Sequence, residues 1–360
     1  MTQPRPISTT VASVLFALLM GACGSEDPAG NDGVAGGPGG QAEGGADSAT
    51  DAATDADSIP DSGSHAETGS GDSGVDAGGE AGPDVVVPGD TGTDAAVDRE
   101  GCKRGVAYGH HSTGDMTALD PGVSWWYNWH YAPDDGVVGT WEALGVEYVP
   151  MIWGANTNLS GAASEIPVDA RYLLGFNEPN FFSQSDLSAS EAASLWPGVE
   201  SLADSKDLLL VSPAVNFCGG GCHDTDPVSW LNDFFGACSG CRADAIAMHI
   251  YVGCEADSPG LATNRAQWLI NHVETYKTAF DGPLWLTEFA CSGSPSVDEQ
   301  KAFMQDAVAY LENEPRIARY AWFSGRADNM TNVDLLGADG ELTELGQTYV
   351  SLPHNPACEM

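Results

Sequence analysis

Tyr172-Leu-Leu-Gly-Phe-Asn-Glu178 is a short apolar run that stops abruptly in an amide and a carboxylate, with Pro179 behind them. A run this brief and this continuously apolar suits a parallel strand covered on both faces. Seven further runs share its character: Arg104–His110, Ser124–His130, Glu147–Trp153, Leu208–Val215, Ala245–Tyr251, Leu284–Phe289 and Arg319–Ser324. From residue 172 onward their starts recur at a near-constant interval, with room for a loop, a helix and a loop between them. Ser296-Val-Asp-Glu299 reads as a capping box opening a helix, whose apolar stripe is Phe303, Met304, Ala307, Val308 and Leu311. Trp268, Leu269, His272, Val273 and Tyr276 repeat the same offsets one unit earlier. The stretch Ser112–Val123 has little helical periodicity. Eight strands alternating with helices predict an α/β fold, a (β/α)8 TIM barrel over residues 101–360, with a doubly wound open sheet as the second choice.

In such a barrel the chemistry lies at the C-terminal ends of the strands. Two of the runs end there in glutamate, Glu178 and Glu288. A carboxylate beside so much apolar surface is unfavourable unless it acts or is paired. The fourth and seventh strands lie three steps apart around the ring, so the two side chains can converge over its mouth. The sixth run ends in His249-Ile250-Tyr251, and residues two apart on a strand share a face.

The marks Trp125-Trp126-Tyr127-Asn128-Trp129, Gly175-Phe176-Asn177-Glu178-Pro179-Asn180, His249-Ile250-Tyr251 and Thr287-Glu288-Phe289 together resemble glycoside hydrolase family 128, within the clan A retaining glycosidases. The likeness spans about residues 103–352. It implies a retaining β-1,3-glucanase with Glu178 as acid/base and Glu288 as nucleophile, and no cofactor or metal. It further implies that Tyr251 orients the nucleophile, that His249 bonds the sugar or the acid/base, and that Asn177 bonds the sugar's 2-hydroxyl. A glycan-binding lipoprotein that kept the fold without the catalysis is the alternative. The motifs of serine esterases (G-x-S-x-G) and zincins (H-E-x-x-H) do not occur.

Aromatic faces suit the C–H faces of glucose rings. Parity assigns Trp126 and Asn128 to the site and Trp125, Tyr127 and Trp129 to packing, and it turns Trp322 inward with Ser324 to stack on the sugar. Trp153 and Phe181-Phe182 follow strands three and four as candidate walls of the binding cleft.

Eight cysteines fall in residues 101–360. An even count in an exported domain implies disulfides. Cys102 and Cys358 bracket the domain, and Cys254 and Cys291 follow neighbouring strands. Cys218, Cys222, Cys238 and Cys241 allow bridges within or between the two clusters. Their spacing also resembles a zinc site, although two bridges fit an oxidising compartment better.

The N-terminus is an address. Arg5 precedes an apolar core, Val11–Leu19, too short to span a bilayer. Met20-Gly-Ala-Cys23 resembles a lipoprotein lipobox, which implies lipidation at Cys23 and removal of residues 1–22; an ordinary secretory signal is the other reading. Export follows from either, to an outer membrane or cell surface if the chain is anchored. Residues 23–100 are rich in Gly, Ala, Asp and Ser, with 18 Asp and Glu over positions 24–100 and no Trp, Tyr or Phe. Too little apolar surface is present to offset ordering entropy, so a disordered acidic tether is expected. The remaining 34 acidic and 11 basic side chains lie at 101–360. Such acidity argues against nucleic-acid and polyanion binding. A neutral polysaccharide, β-glucan, is the expected partner, met by a monomer that touches a membrane only through its lipid.

Overall fold

A computed structural model describes residues 102–354, save Ala256 and Pro259. Residues 1–22, the expected tether at 23–100, Cys23 and Cys358 lie outside the described residues.

The eight strands are β1 (Arg104–Ala107), β2 (Trp125–Tyr127), β3 (Glu147–Tyr148), β4 (Tyr172–Leu174), β5 (Leu209–Val211), β6 (Ile246–Val252), β7 (Leu284–Cys291) and β8 (Ile317–Phe323). They are parallel in the order β3-β2-β1-β8-β7-β6, with β4-β5 as a separate pair. Single parallel bridges Met151↔Leu174 and Val211↔Ala245 join the two sets, so the ring closes. Every strand is followed by a helix: α1 (Thr113–Leu119), α2 (Thr140–Leu144), α3 (Leu159–Glu165), α4 (Ala189–Ser205), α5 (Pro227–Ala237), α6 (Gln267–Ala279), α7 (Val297–Asn313) and α8 (Glu344–Ser351). This is the (β/α)8 arrangement that the sequence predicts. The weakly periodic first unit holds α1 because Ser112 and Asp115 form a capping box at its start.

Alternation along the strands separates two cores. Outward residues pack under the helices, where Trp126 lies between Tyr148 and His111. Inward residues fill the ring: Ala107, Trp125, Tyr127, Leu174, Val211, Ala247, Trp285 and Ala321. Gly105 pairs in register with Trp125, and a Cβ at Gly105 would fall 2.4 Å from the Trp125 indole. The missing side chain is what lets so large a group turn inward.

The floor of the ring is cationic. The Arg319 guanidinium lies 4.6 Å from the Tyr172 ring centre, 4.8 Å from that of Trp285 and 5.5 Å from that of Trp125. It pairs with Glu147, which also holds Arg171 at 2.7 Å. Desolvated cation–π contacts and an ion pair together satisfy a charge that could not be buried alone.

Three disulfides join described cysteines: Cys218–Cys222, Cys238–Cys241 and Cys254–Cys291. The four clustered cysteines therefore bridge within their own clusters, which excludes the zinc reading. Cys254–Cys291 braces the loops after β6 and β7. Cys102 is also disulfide-bonded.

Among the described residues, His111 and His272 are buried with neither ring nitrogen in a well-formed hydrogen bond. Burial lowers each to a pKa of about 4. The folded value lies below the unfolded one, so stability is full above about pH 6.5 and is lost as pH falls toward 4. Between pH 7 and pH 4, the free-energy difference between wild type and a His272→Leu variant should therefore shift against the wild type by about 3 kcal/mol. Urea unfolding across that range measures it.

Candidate active site

The C-terminal rim of the ring carries the buried polar groups. Past β4 the chain narrows at Gly175, where a Cβ would lie 2.8 Å from the Trp196 ring and 2.9 Å from the Pro213 backbone nitrogen. Glu178 follows with φ at 39°, a left-handed conformation unusual for a residue with a side chain. Its backbone N–H donates to the Ala214 carbonyl at 2.8 Å, and its carbonyl accepts from the Phe181 N–H at 3.0 Å, which hold that geometry. Such strain amounts to about 1–3 kcal/mol and persists only where the surroundings enforce it.

Glu288 reaches the same place by another device. Register along β6 and β7 runs Met248↔Leu286 and then His249↔Glu288, so Thr287 is an extra residue with no partner on β6. Plain alternation from the inward Trp285 would turn Thr287 in and Glu288 out. The bulge re-aims Glu288 over the mouth.

One oxygen of Glu178, one of Glu288 and one ring nitrogen of His249 lie within 4.8 Å of one another, all three side chains buried. His249 Nδ1 is 3.0 Å from Glu178 Oε1 and 3.3 Å from Glu288 Oε2. Glu288 Oε1 accepts from the Tyr127 hydroxyl at 2.9 Å and from Trp129 Nε1 at 2.7 Å, while Tyr251 donates its hydroxyl to Oε2. Glu178 Oε1 also accepts from Asn216 Nδ2 at 2.9 Å. Burial raises the Glu288 pKa, a push opposed by His249 and reinforced by the Glu178 charge. Burial alone would depress His249, yet the Glu288 charge and the contact with Glu178 outweigh it and raise its pKa. Tyr127 and Tyr251 are held well above the usual tyrosine range, first by burial and then by the Glu288 charge, so both remain donors. Of the two carboxyls, Glu288 has more donors around it.

A cleft of about 440 Å³ opens over these groups, lined by Trp129, Trp153, Asn177, Phe181, Tyr251 and Phe323 among others. A second hollow of about 690 Å³, reaching Asn128, His130 and Asp134, shares Trp129, Phe323 and Asn329 with it. The two hollows therefore adjoin along those residues. Asn177 donates to Gln184 Oε1 at 3.2 Å and leaves its Oδ1 without a protein partner. Trp153 is 37% exposed at the cleft wall.

Several sequence expectations require correction. Trp126 is fully buried on the helix side, so it does not face the site; Trp129 and Tyr127, which parity assigns to packing, are the residues of that strand that touch Glu288. Asn128, by contrast, lines the neighbouring hollow, where it donates to Asp134 Oδ1 at 2.9 Å. Trp322 is fully buried and donates its Nε1 to the Val333 carbonyl at 2.8 Å. Phe323 takes the inward position instead, edge-on to Tyr251 at 5.5 Å. The inward Arg319 sets this parity, since Arg319, Ala321 and Phe323 share a face. Asn216 is a site residue that the sequence does not single out: it lies beyond β5 in a run that ends with no carboxylate.

A closed α/β ring with two neighbouring carboxyls at the ends of β4 and β7 is an arrangement shared by clan A glycoside hydrolases, and comparison with known proteins agrees. A family model described as "Glycosyl hydrolase catalytic core" matches residues 105–349. The crystal structure of a GH128 (subgroup II) endo-β-1,3-glucanase from Sorangium cellulosum is 64% identical, with a TM-score of 0.67, and covers 70% of this chain and 99% of its own. A GH128 (subgroup I) endo-β-1,3-glucanase from Amycolatopsis mediterranei, in complex with laminaritriose, is 28% identical, with a TM-score of 0.54, over 69% of this chain and 99% of that one. Alkali-sensitive linkage protein 1 of Schizosaccharomyces pombe is 31% identical over 243 residues, 65% of this chain, and the match spans 41% of that relative's length. The chain belongs to the glycosyl hydrolase catalytic-core family, in its GH128 branch.

Removing the Trp129 donor should weaken the hold on Glu288 without emptying the core. A Trp129→Phe variant is expected to fold normally and to lose glycosidase kcat by about 10- to 100-fold. Steady-state kinetics alongside circular dichroism check this.

Proposed function

We propose that the chain is an exported, lipid-anchored endo-β-1,3-glucanase that cleaves with retention, with Glu178 as acid/base and Glu288 as nucleophile. The observation that carries this reading is the approach of the two carboxyls, whose oxygens lie within 4.8 Å. An inverting enzyme needs a gap of roughly 6.5–9.5 Å for its water, whereas a retaining one works at about 5–5.5 Å.

Glu288 attacks the anomeric carbon while Glu178 gives a proton to the departing glycosidic oxygen. Three donors, Tyr127, Trp129 and Tyr251, together with the nearby His249, favour Glu288 as the anion that attack requires, against the burial that raises its pKa. Its charge sits beside Glu178, the group that has to hand over the proton. Once Glu288 is esterified to the sugar that charge is gone, and Glu178, now a carboxylate, takes a proton from the water that frees the product. Asn177 lines the cleft, where its amide meets the sugar's 2-hydroxyl, a contact that strengthens in the transition state.

The substrate class comes from the neighbours, which act on β-1,3-glucan, and from the acidity of the chain, which favours a neutral polymer. A second hollow beside the cleft, on the Asn128 side, suits internal cleavage of a long chain. Export and anchoring rest on the N-terminal sequence, from Arg5 to Cys23, with residues 24–100 as a tether and the barrel acting as a monomer.

Glu178→Gln and Glu288→Gln should each reduce cleavage of a β-1,3-glucan by at least about 1000-fold with oligosaccharide binding preserved. Proton NMR of the first product should show the β anomer; an α anomer would refute the paired-carboxyl mechanism. In a bacterial host, full-length protein should fractionate with membranes, and a Cys23→Ser variant should not. Membrane retention of that variant would rule out the lipid anchor.

A further inference from the structure

We infer that Asn216 is a positioning residue for the acid/base, and that it fixes which oxygen of Glu178 carries the proton. The inference rests on the acid/base role proposed for Glu178.

Both hydrogen bonds to the Glu178 carboxyl fall on one oxygen, and the two carboxylates beside His249 favour a hydrogen on its Nδ1, which makes it the donor. Asn216 Nδ2 lies 2.9 Å from Oε1 and His249 Nδ1 3.0 Å from the same atom. Among the described residues no hydrogen bond reaches Oε2. An oxygen that accepts two N–H donors cannot also bear a proton directed at a substrate, because its lone pairs are in use. The neutral acid therefore keeps Oε1 as its carbonyl and carries its hydrogen on Oε2. That oxygen passes the proton to the glycosidic oxygen as the C–O bond breaks and the sugar alcohol leaves. In the second step the same oxygen accepts the proton of the attacking water as the ester bond to Glu288 opens.

The Asn216 amide is held in the orientation this requires. Its own Oδ1 accepts from the Phe217 backbone N–H at 2.8 Å, which commits the oxygen and leaves the NH₂ to face the carboxylate. The Asn216 carbonyl accepts from Asn180 Nδ2 at 2.8 Å. Asn180 sits two residues after Glu178, so the loops after β4 and β5 are tied on either side of the contact. His223 N–H to the Asn180 carbonyl at 2.8 Å and Phe182 N–H to the Gly221 carbonyl at 3.1 Å continue the tie, and Cys218–Cys222 closes that segment. Asn216 is itself buried, 7% exposed.

The test uses leaving-group dependence, which a merely structural role would not move. Wild type, Asn216→Ala and Glu178→Gln are compared on a β-1,3-glucan and on a dinitrophenyl β-1,3-glucoside, whose leaving group departs without a proton. Asn216→Ala should lower kcat/KM on the glucan by about 10- to 100-fold and on the aryl substrate by less than about threefold. Glu178→Gln should show the same selectivity, more strongly. If Glu178→Gln is selective and Asn216→Ala affects both substrates equally, or neither, the Asn216 role is overturned while the acid/base reading stands. If Glu178→Gln is not selective, the acid/base reading fails and takes the inference with it. Asn216→Asp, nearly the same size, covers the case of a misfolded alanine variant. Its added charge should move the basic limb of the kcat/KM pH profile upward, and an unmoved limb would overturn the role.

Discussion

Two carboxyls buried side by side repel, and the rest of this site is organised around that repulsion. In a low dielectric neither group can ionise freely beside the other. His249 stands between them, within reach of both, and is drawn toward its charged form by the pair it serves. The neutral donors are unevenly shared. Glu288 receives Tyr127, Trp129 and Tyr251, whereas Glu178 receives Asn216. That imbalance gives two chemically identical groups different characters.

Holding the imbalance requires donors from several strands at once, which is what a closed ring supplies. Tyr127 and Trp129 come from β2 and its end, Tyr251 and His249 from β6, Asn216 from beyond β5. None of these is near Glu288 or Glu178 in sequence except through the barrel. Beneath them the Trp125, Tyr172 and Trp285 rings grip Arg319, so the strands that carry the donors are locked below the mouth as well as at it. Cys254–Cys291 ties the rims of β6 and β7 directly behind Tyr251 and Glu288.

Departures from regular geometry occur where the carboxyls are placed. Glu178 takes a left-handed backbone conformation, and Glu288 owes its aim to the extra residue Thr287. The Glu178 distortion lies just past the end of β4, whereas the Thr287 bulge interrupts a ladder that resumes beyond it, from Glu288 to Cys291. Strand ends also explain the aromatics whose facing differs from expectation. Strict alternation counted from a polar end gives the wrong face when the end itself is irregular, and counting from Ser324 turns Trp322 inward in that way. For β2 the alternation is regular but its phase is open in the sequence. The phase is set by Gly105 on the neighbouring strand, which makes room for Trp125.

Local sequence determined the elements and their order, since apolar runs, capping boxes and loop lengths act over a few residues and need no partner to be recognised. It also determined that Glu178 and Glu288 close apolar runs, because an acid at the end of such a run is visible in the chain itself. It named the Cys254–Cys291 bridge as soon as strand order was known. Only the tertiary structure decided which face each strand presents, because that depends on register with a neighbour far away in the chain and on a single inserted residue. For the same reason Asn216 cannot be picked out from the chain alone: its place beside Glu178 follows from the pairing of loops after β4 and β5, a contact made by side-chain amides whose sequence context has no distinguishing pattern.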